Sequence, residues 1–278
     1  MSRFRNGPSL SAWVGIAIVT ALIAVAILAP WIAPYSESES PGPTWQEPSV
    51  AFLLGTDSIG RDMLTRVIYG ARLTLSIALV TTVLSFLIGI TAGLLAAVGG
   101  STIDQILSRL VDVILSIPLL IFALVILSML GGSLAVLVLT IAVLDSTRVF
   151  RLARSVAQGI VVQEFVEAAR LRGEGLAWII RREILPNALP PLISEFGLRF
   201  CFNFLFIAGL SFLGMGVQPP YADWGGMVKD NAGAIFNKSG SAPLWPAAAI
   251  ALMTVGVNLI VDWVLSRNAR PSGASAEM

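Results

Sequence analysis

Two groups of side chains in this sequence have the type and spacing to do chemistry. Glu195 and Arg199 stand four residues apart in an otherwise apolar run, the acid N-terminal to the base, which suits an ion pair along one helix face. Ionisable groups at membrane depth are functional candidates by default. With Asn203 one helical turn further on, they are candidates for lining a path through the protein. The second group is the arginine-rich stretch 149–190. It is too long for a plain connection, and its residues favour helix on both sides of Gly173-Glu174-Gly175. Gln163–Arg172 reads as an amphipathic helix, and Leu176–Ile184 resumes the helical spacing. Pro186-Asn187 is expected to end it before Pro190-Pro191 opens the next span. A helix–turn–helix of this kind can dock in a groove of a soluble partner, or rest on anionic headgroups; the residues alone leave both open.

Much other chemistry is excluded. Histidine is absent, which removes histidine triads, histidine bases and zinc–histidine sites. The one cysteine, Cys201, lies in an apolar run and reads as a small buried hydrophobe, with no intrachain disulfide and no thiolate metal cluster. No catalytic residue and no metal site emerge. No GxxxxGK[ST] phosphate loop occurs either, so any ATP hydrolysis has to come from another polypeptide. The net charge of +1 gives no general attraction to nucleic acid.

The elements that must carry these groups are membrane helices. Of 278 residues, 56% are hydrophobic and 13% charged, and the mean hydropathy is +0.83. A soluble domain carries about twice that charge. The reading is an all-α membrane protein of six transmembrane helices, at about 12–32, 74–98, 110–130, 134–150, 192–213 and 246–265. A cleaved signal peptide is the rival for the first, but Trp31 and Pro34 stand where small residues would be wanted. Gly131-Gly132-Ser133 divides an uncharged run too long for one helix into a hairpin. Asp145 with Arg148, and Asp262, are expected as interfacial anchors, and Asn203 and Asn258 as bonds between helices.

Charge sets the orientation. With the N-terminus inside, the inner segments hold Arg3, Arg5, Arg109, the seven arginines from Arg148 to Arg182, Arg267 and Arg270. The outer ones hold Arg61, Arg66, Arg72, Lys229 and Lys238, so both termini are predicted cytoplasmic. Residues 1–35 then form a cytoplasmic tip and first helix, 36–72 an extracytoplasmic loop and 266–278 a cytoplasmic tail. That outer loop starts Ser/Glu/Pro-rich and ends in Leu54–Asp62, where Asp57, Arg61 and Asp62 are placed to form an ion-paired cap on the following helix.

Glu167-Ala168-Ala169, Gly173 and Ile184-Leu185-Pro186 resemble the cytoplasmic EAA loop of permeases of binding-protein-dependent ABC importers. Two further segments narrow the resemblance to the dipeptide/oligopeptide/nickel branch and its second permease subunit. They are Leu54–Asp62, with Gly55, Thr56, Asp57, Gly60, Arg61 and Asp62, and Leu210–Gly225, with Gly214, Gly216, Gln218, Pro219, Pro220 and Trp224. The three motifs stand in order over most of residues 50–262. The resemblance implies a type I ABC importer transmembrane domain over 71–265, with the coupling loop at 151–190. It implies a heterodimer with a second permease and two cytoplasmic ATPases that bind ATP and Mg, this chain holding no cofactor of its own. It also implies a solute-binding protein that delivers a short peptide, nickel chelate or glutathione-like solute. Glu164–Leu176 would be the coupling element, with Glu167 accepting hydrogen bonds from its own helix start or from an ATPase. Where relatives often have glycine before the aspartate of the last helix, this chain has Val261 before Asp262.

The alternative is a secondary transporter driven by an ion gradient. Against it, there is no internal repeat, and the interiors of the second, third and sixth spans, away from Asp112 and Asp262 near their ends, contain no charge. A membrane-anchored structural or signalling protein would leave the long docking-type loop unexplained.

Overall fold

The computed structural model describes residues 9–236 and 240–268; Arg3, Arg5, Lys238, Arg270 and the rest of the tail lie outside the described residues, as does the Arg267 side chain. Among the described residues the chain is helical with no strand. The helices are α1 (Leu10–Ile32), α2 (Met63–Val98), α3 (Ser101–Leu115), α4 (Leu119–Leu130), α5 (Leu134–Val161), α6 (Glu164–Leu171), α7 (Leu176–Ile179), α8 (Leu185–Phe212), α9 (Trp224–Asp230) and α10 (Leu244–Asn268). By length and composition four stretches can cross a membrane: Leu10–Ile32, Met63–Val98, Leu176–Phe212 and Leu244–Ser266. The pair α3–α4 qualifies as a fifth if its 87° bend is taken within one span.

Several boundaries differ from the sequence expectation: α3 already starts at Ser101 and not 110, and α5 runs on to Val161, past 150. The third helix does not run from 110 to 130 but breaks at Ser116-Ile117-Pro118. Pro118 has no N–H to continue the ladder, and Ser116 closes α3 by donating its N–H to Asp112 and Val113 carbonyls and its hydroxyl to Val113 O at 2.7 Å. The second helix starts at Met63, not 74, because Asp62 caps it: Oδ2 accepts Thr65 N at 2.8 Å and Thr65 Oγ1 at 2.7 Å. Pro186 does not end the helix that starts at Leu176. Ile180–Ile184 forms a π turn in which Leu185 donates to Ile180 O, five residues back, so the ladder widens just before the proline that cannot donate. Asn187 Nδ2 to Glu183 O at 2.6 Å and Ser194 Oγ to Pro190 O at 3.1 Å add side-chain donors along this proline-bearing stretch, so α8 continues through Pro190 and Pro191.

The chain divides into two compact units. One comprises residues up to 76 and from 204 onward, the other Ile77–Asn203. In the first, α1 and α10 meet where a β-carbon on Gly15 would lie 2.7 Å from Gly256 O. Small residues let helix backbones approach closely in lipid, and Gly256 provides that here although Val261 occupies the position often held by glycine. In the second unit, Gly89 and Gly93 form a GxxxG stripe on α2 against Val149 and Ala153 of α5, with hypothetical β-carbons at 2.6 and 2.8 Å from theirs. Arg151 to Asp112 at 2.7 Å and the Arg154–Asp104 pair fasten α3 to α5.

Candidate functional site

The loop around Gly173 is built as a Schellman turn. Glu174 N–H bonds to Ala169 O at 3.2 Å and Gly173 N–H to Arg170 O at 2.9 Å, with Gly173 at φ +82°. Only glycine adopts that backbone without strain. One face of α6 anchors it: Val166 and Ala169, one helical turn apart, pack with Ile179, Ile184, Leu94 and Ala157. The opposite side carries Glu167 and Ala168, both exposed. Beside them Val162 is 79% and Leu171 83% exposed, and no atom lies within 4 Å of a β-carbon built on Gly173. Leu185 is partly buried and Pro186 exposed as the helix turns into α8.

Deeper in the same unit, α2, α5 and α8 share a polar cluster. Asp145 is buried and accepts from Ser85 Oγ at 3.0 Å, Asn203 Nδ2 at 3.0 Å and Arg199 Nη1 at 3.5 Å. Asn203 also donates to Thr82 Oγ1 at 3.2 Å. Arg199 Nε lies 2.7 Å from Glu195 Oε1, the i,i+4 pair expected. Asp145 is therefore not an interfacial anchor with Arg148. Its position on α5 points it at Arg199 and Asn203, while Arg148 lies over the Phe202 ring, 4.6 Å from the centroid. Asn203 is fully buried inside the unit and lines no open surface; Glu195 and Arg199 keep 25% and 19% side-chain exposure. Ser85 and Thr82 were not singled out from the sequence. The available signal was the Thr81-Thr82…Ser85 spacing on one face of an apolar helix. Asn258 is exposed.

In the first unit, the other two motifs form one folded cap. Asp57 Oδ1 accepts Ile59 N and Arg61 N at 3.0 and 2.9 Å, and its Oδ2 pairs with Arg61 Nε at 2.5 Å. Thr56 Oγ1 donates to Pro43 O and accepts from Gln46 N, at 2.6 and 2.8 Å. Gly55 and Gly60 have φ of +79° and +83°, and a β-carbon on Gly60 would sit 2.1 Å from Gly42 O. Ser58 N–H reaches Asn231 Oδ1 at 3.1 Å. A second Schellman turn, Met215 N to Leu210 O and Gly214 N to Ser211 O (both 2.9 Å), ends α8 with Gly214 at φ +86°. Gly216 folds onto Ser211, and Gln218 Nε2 donates to Gly216 O at 3.0 Å. After the cis Pro219-Pro220 bond, Arg66 holds Pro220 O at 2.8 Å and Tyr221 O at 3.2 Å. Asp223 caps α9 through Gly226 N at 2.9 Å and accepts Thr74 Oγ1 at 3.0 Å. Burial pushes its carboxyl up, against the hydrogen bonds from Gly226, Ser211 and Thr74. A raised folded-state pKa makes its share of stability largest below the unfolded value and lost as pH rises through the folded one.

Trp224 closes this cap. It is fully buried, donates Nε1–H to Val67 O at 2.9 Å and meets the Phe204 ring edge-on at 6.1 Å. Trp224→Ala is expected to cost about 4 kcal/mol through the cavity it leaves. Trp224→Phe removes the N–H bond and part of the ring, and is expected to cost roughly 1–2 kcal/mol. Thermal unfolding of the detergent-purified chain reads both, and equal melting of the two variants would contradict the cavity argument.

Residues 89–270 match the family described as binding-protein-dependent transport system inner membrane component. The chain belongs to that family. Residues 9–48 of this inner membrane component also match the N-terminal TM domain of oligopeptide transport permease C. The di/tripeptide transport system permease protein DppC of Pseudomonas aeruginosa (strain UCBPP-PA14) is 36% identical over 255 residues, 89% of this chain and 84% of that protein. The dipeptide transport system permease protein DppC of Escherichia coli (strain K12) is 38% identical over 259 residues, 90% of this chain and 85% of that one. The inner membrane component is thus a DppC/OppC-like ABC permease, a multi-pass membrane protein. Among solved structures, an amino acid ABC transporter crystallised with histidines superposes with a TM-score of 0.56 at 22% identity, over 73% of this chain and 94% of that one. The inward-facing MetNI methionine ABC transporter gives 0.53 at 20%, over 73% and 97%. These two similarities show the fold.

Proposed function

We propose that this chain is one of two permease subunits of an ATP-driven importer of short peptides. The observation that supports it most is its 36–38% identity, over about nine-tenths of its length, to permeases named for dipeptide transport. In this reading the chain crosses the membrane six times, α3–α4 counting as one bent span and α5 as another, with both termini cytoplasmic. A second, homologous permease completes the path, and a solute-binding protein delivers the peptide from outside. Two ATPase subunits beneath bind ATP and Mg and do the hydrolysis, so this chain is not a catalyst and carries no cofactor.

Transmission runs through α6 and Gly173. The exposed Val162, Glu167, Ala168 and Leu171 surround a glycine with open space above it, a small convex surface with an apolar rim that suits a groove in a soluble domain. Its other side is fixed to α2, α5 and the helix leading into α8 through Val166, Ala169, Ile179 and Ile184. A push on α6 therefore reaches membrane helices as a rigid-body motion.

The test is purification of this chain from its native membrane in mild detergent, with identification of whatever accompanies it. A second permease with one or two ATPases, and dipeptide uptake abolished by ATP depletion, is the expected result. The chain alone in several detergents, with uptake abolished by an ionophore and not by ATP depletion, would return the ion-gradient transporter.

A further inference from the structure

Among the described residues Arg148, on α5, is a charge without an ion-pair partner. It lies about 21 Å along α5 from Leu134, near the inner end of the span expected at 134–150. The residues before it, Leu134–Leu144, carry no charge. Among the described residues no carboxylate comes within 4.0 Å of its guanidinium, which is held over the Phe202 ring at 4.6 Å and is partly exposed. Arg199 lies over the same ring at 5.5 Å. Among the described residues Arg199 has two acids, Glu195 and Asp145, while Arg148 has none.

That asymmetry has a physical consequence. A guanidinium facing lipid is costly, so intramembrane arginines face water-filled space or a counter-charge. An aromatic face steadies the cation without neutralising it, and it leaves the five N–H donors of the guanidinium free to grip a planar anion in a bidentate fork. Asp145, three residues earlier on α5, is taken up by Ser85, Asn203 and Arg199. The neighbouring acid is thus kept off Arg148 by the buried cluster.

We propose that Arg148, positioned on Phe202 beside Arg199, binds the free C-terminal carboxylate of the peptide as it passes through the membrane. This rests on the peptide reading above. The solute-binding protein governs the concentration at which uptake saturates, whereas a station on the path governs the maximal rate. Arg148 therefore acts on the rate, and on the preference for a peptide over its C-terminal amide when both are supplied at saturation.

The experiment uses the assembled transporter in proteoliposomes with ATP inside, a dipeptide and its C-terminal amide as probes, and the binding protein outside. Wild type is expected to carry the free acid faster than the amide. In Arg148→Gln the maximal rate for the acid falls about tenfold, the amide rate is little changed, the half-saturating concentration stays put, and the acid-to-amide ratio approaches one. Arg148→Lys, which keeps the charge but not the fork, is expected to give an intermediate ratio, and carries the test if the glutamine variant is not recovered. Wild-type ratios in both variants overturn the proposal. So does loss of the second permease on purification of Arg148→Gln, which would mean that an acid of that subunit pairs with Arg148. A wild-type complex that moves neither probe overturns the peptide reading itself, a result distinct from the other two.

Discussion

Gly173→Trp is expected to abolish coupled uptake while leaving the protein inserted and assembled in the membrane. Two costs combine. A residue with a β-carbon at φ +82° is strained by roughly 1–2 kcal/mol, and the turn it strains is held by the Ala169 and Arg170 carbonyls at the end of α6. The larger effect is outside the chain. A side chain on Gly173 meets nothing within 4 Å in this structure, so its bulk projects into the space that an ATPase surface would fill. Three variants separate the terms. Gly173→Asn, whose residue type tolerates the left-handed region, is expected to keep most uptake. Gly173→Val is expected to lose about tenfold, the equivalent of about 1.4 kcal/mol, and Gly173→Trp essentially all of it. Uptake and ATP hydrolysis measured together in the same vesicles decide the matter. A tryptophan variant with wild-type uptake would remove this loop from the coupling path.

Asp145→Ala is expected to destabilise the protein by about 3 kcal/mol, at the low end of what breaking a buried ion pair costs. The low end applies because each donor it abandons has a second acceptor. Ser85 Oγ reaches Thr81 O and Thr82 O at 3.2 and 3.3 Å, Asn203 keeps Thr82 Oγ1, and Arg199 keeps Glu195. For a protein of this size the melting temperature should drop by about 5 °C. Asp145→Asn, which keeps the shape and one acceptor oxygen but not the charge, is expected to lose about half as much. Thermal unfolding in detergent reads both. An alanine variant that melts with wild type would mean that the cluster contributes nothing to holding α2, α5 and α8 together.

Local patterns carried much of the architecture. The i,i+4 pair Glu195–Arg199 needs only helical spacing, and it is present at 2.7 Å. The helix–turn–helix around Gly173 follows from an amphipathic run interrupted by glycine, and it is there as α6 and α7. Where two local rules competed, spacing alone was insufficient. Pro118 bends a helix that composition would run straight, whereas Pro186, Pro190 and Pro191 do not end one, because a π turn and side-chain donors adjust the ladder around them. A proline's effect depends on which neighbours can replace its missing bond, and those are chosen by packing.

The sequence by itself determined that this chain lives in a membrane, that it lacks histidine chemistry and a phosphate loop, and that its arginines crowd into one loop. Each of these is a property of composition or of residues within one turn of each other, for which neighbouring backbone geometry suffices. Only the tertiary structure decided that Asp145 serves Arg199 and not Arg148. It also decided that Asn203 is buried, that Gly89 and Gly93 admit Val149 and Ala153, and that Trp224 seals the cap against Val67 and Phe204. Those partners lie 20 to 157 residues apart in the chain. Which helix face meets which is set by close packing of whole helices, and no periodicity along one segment encodes it.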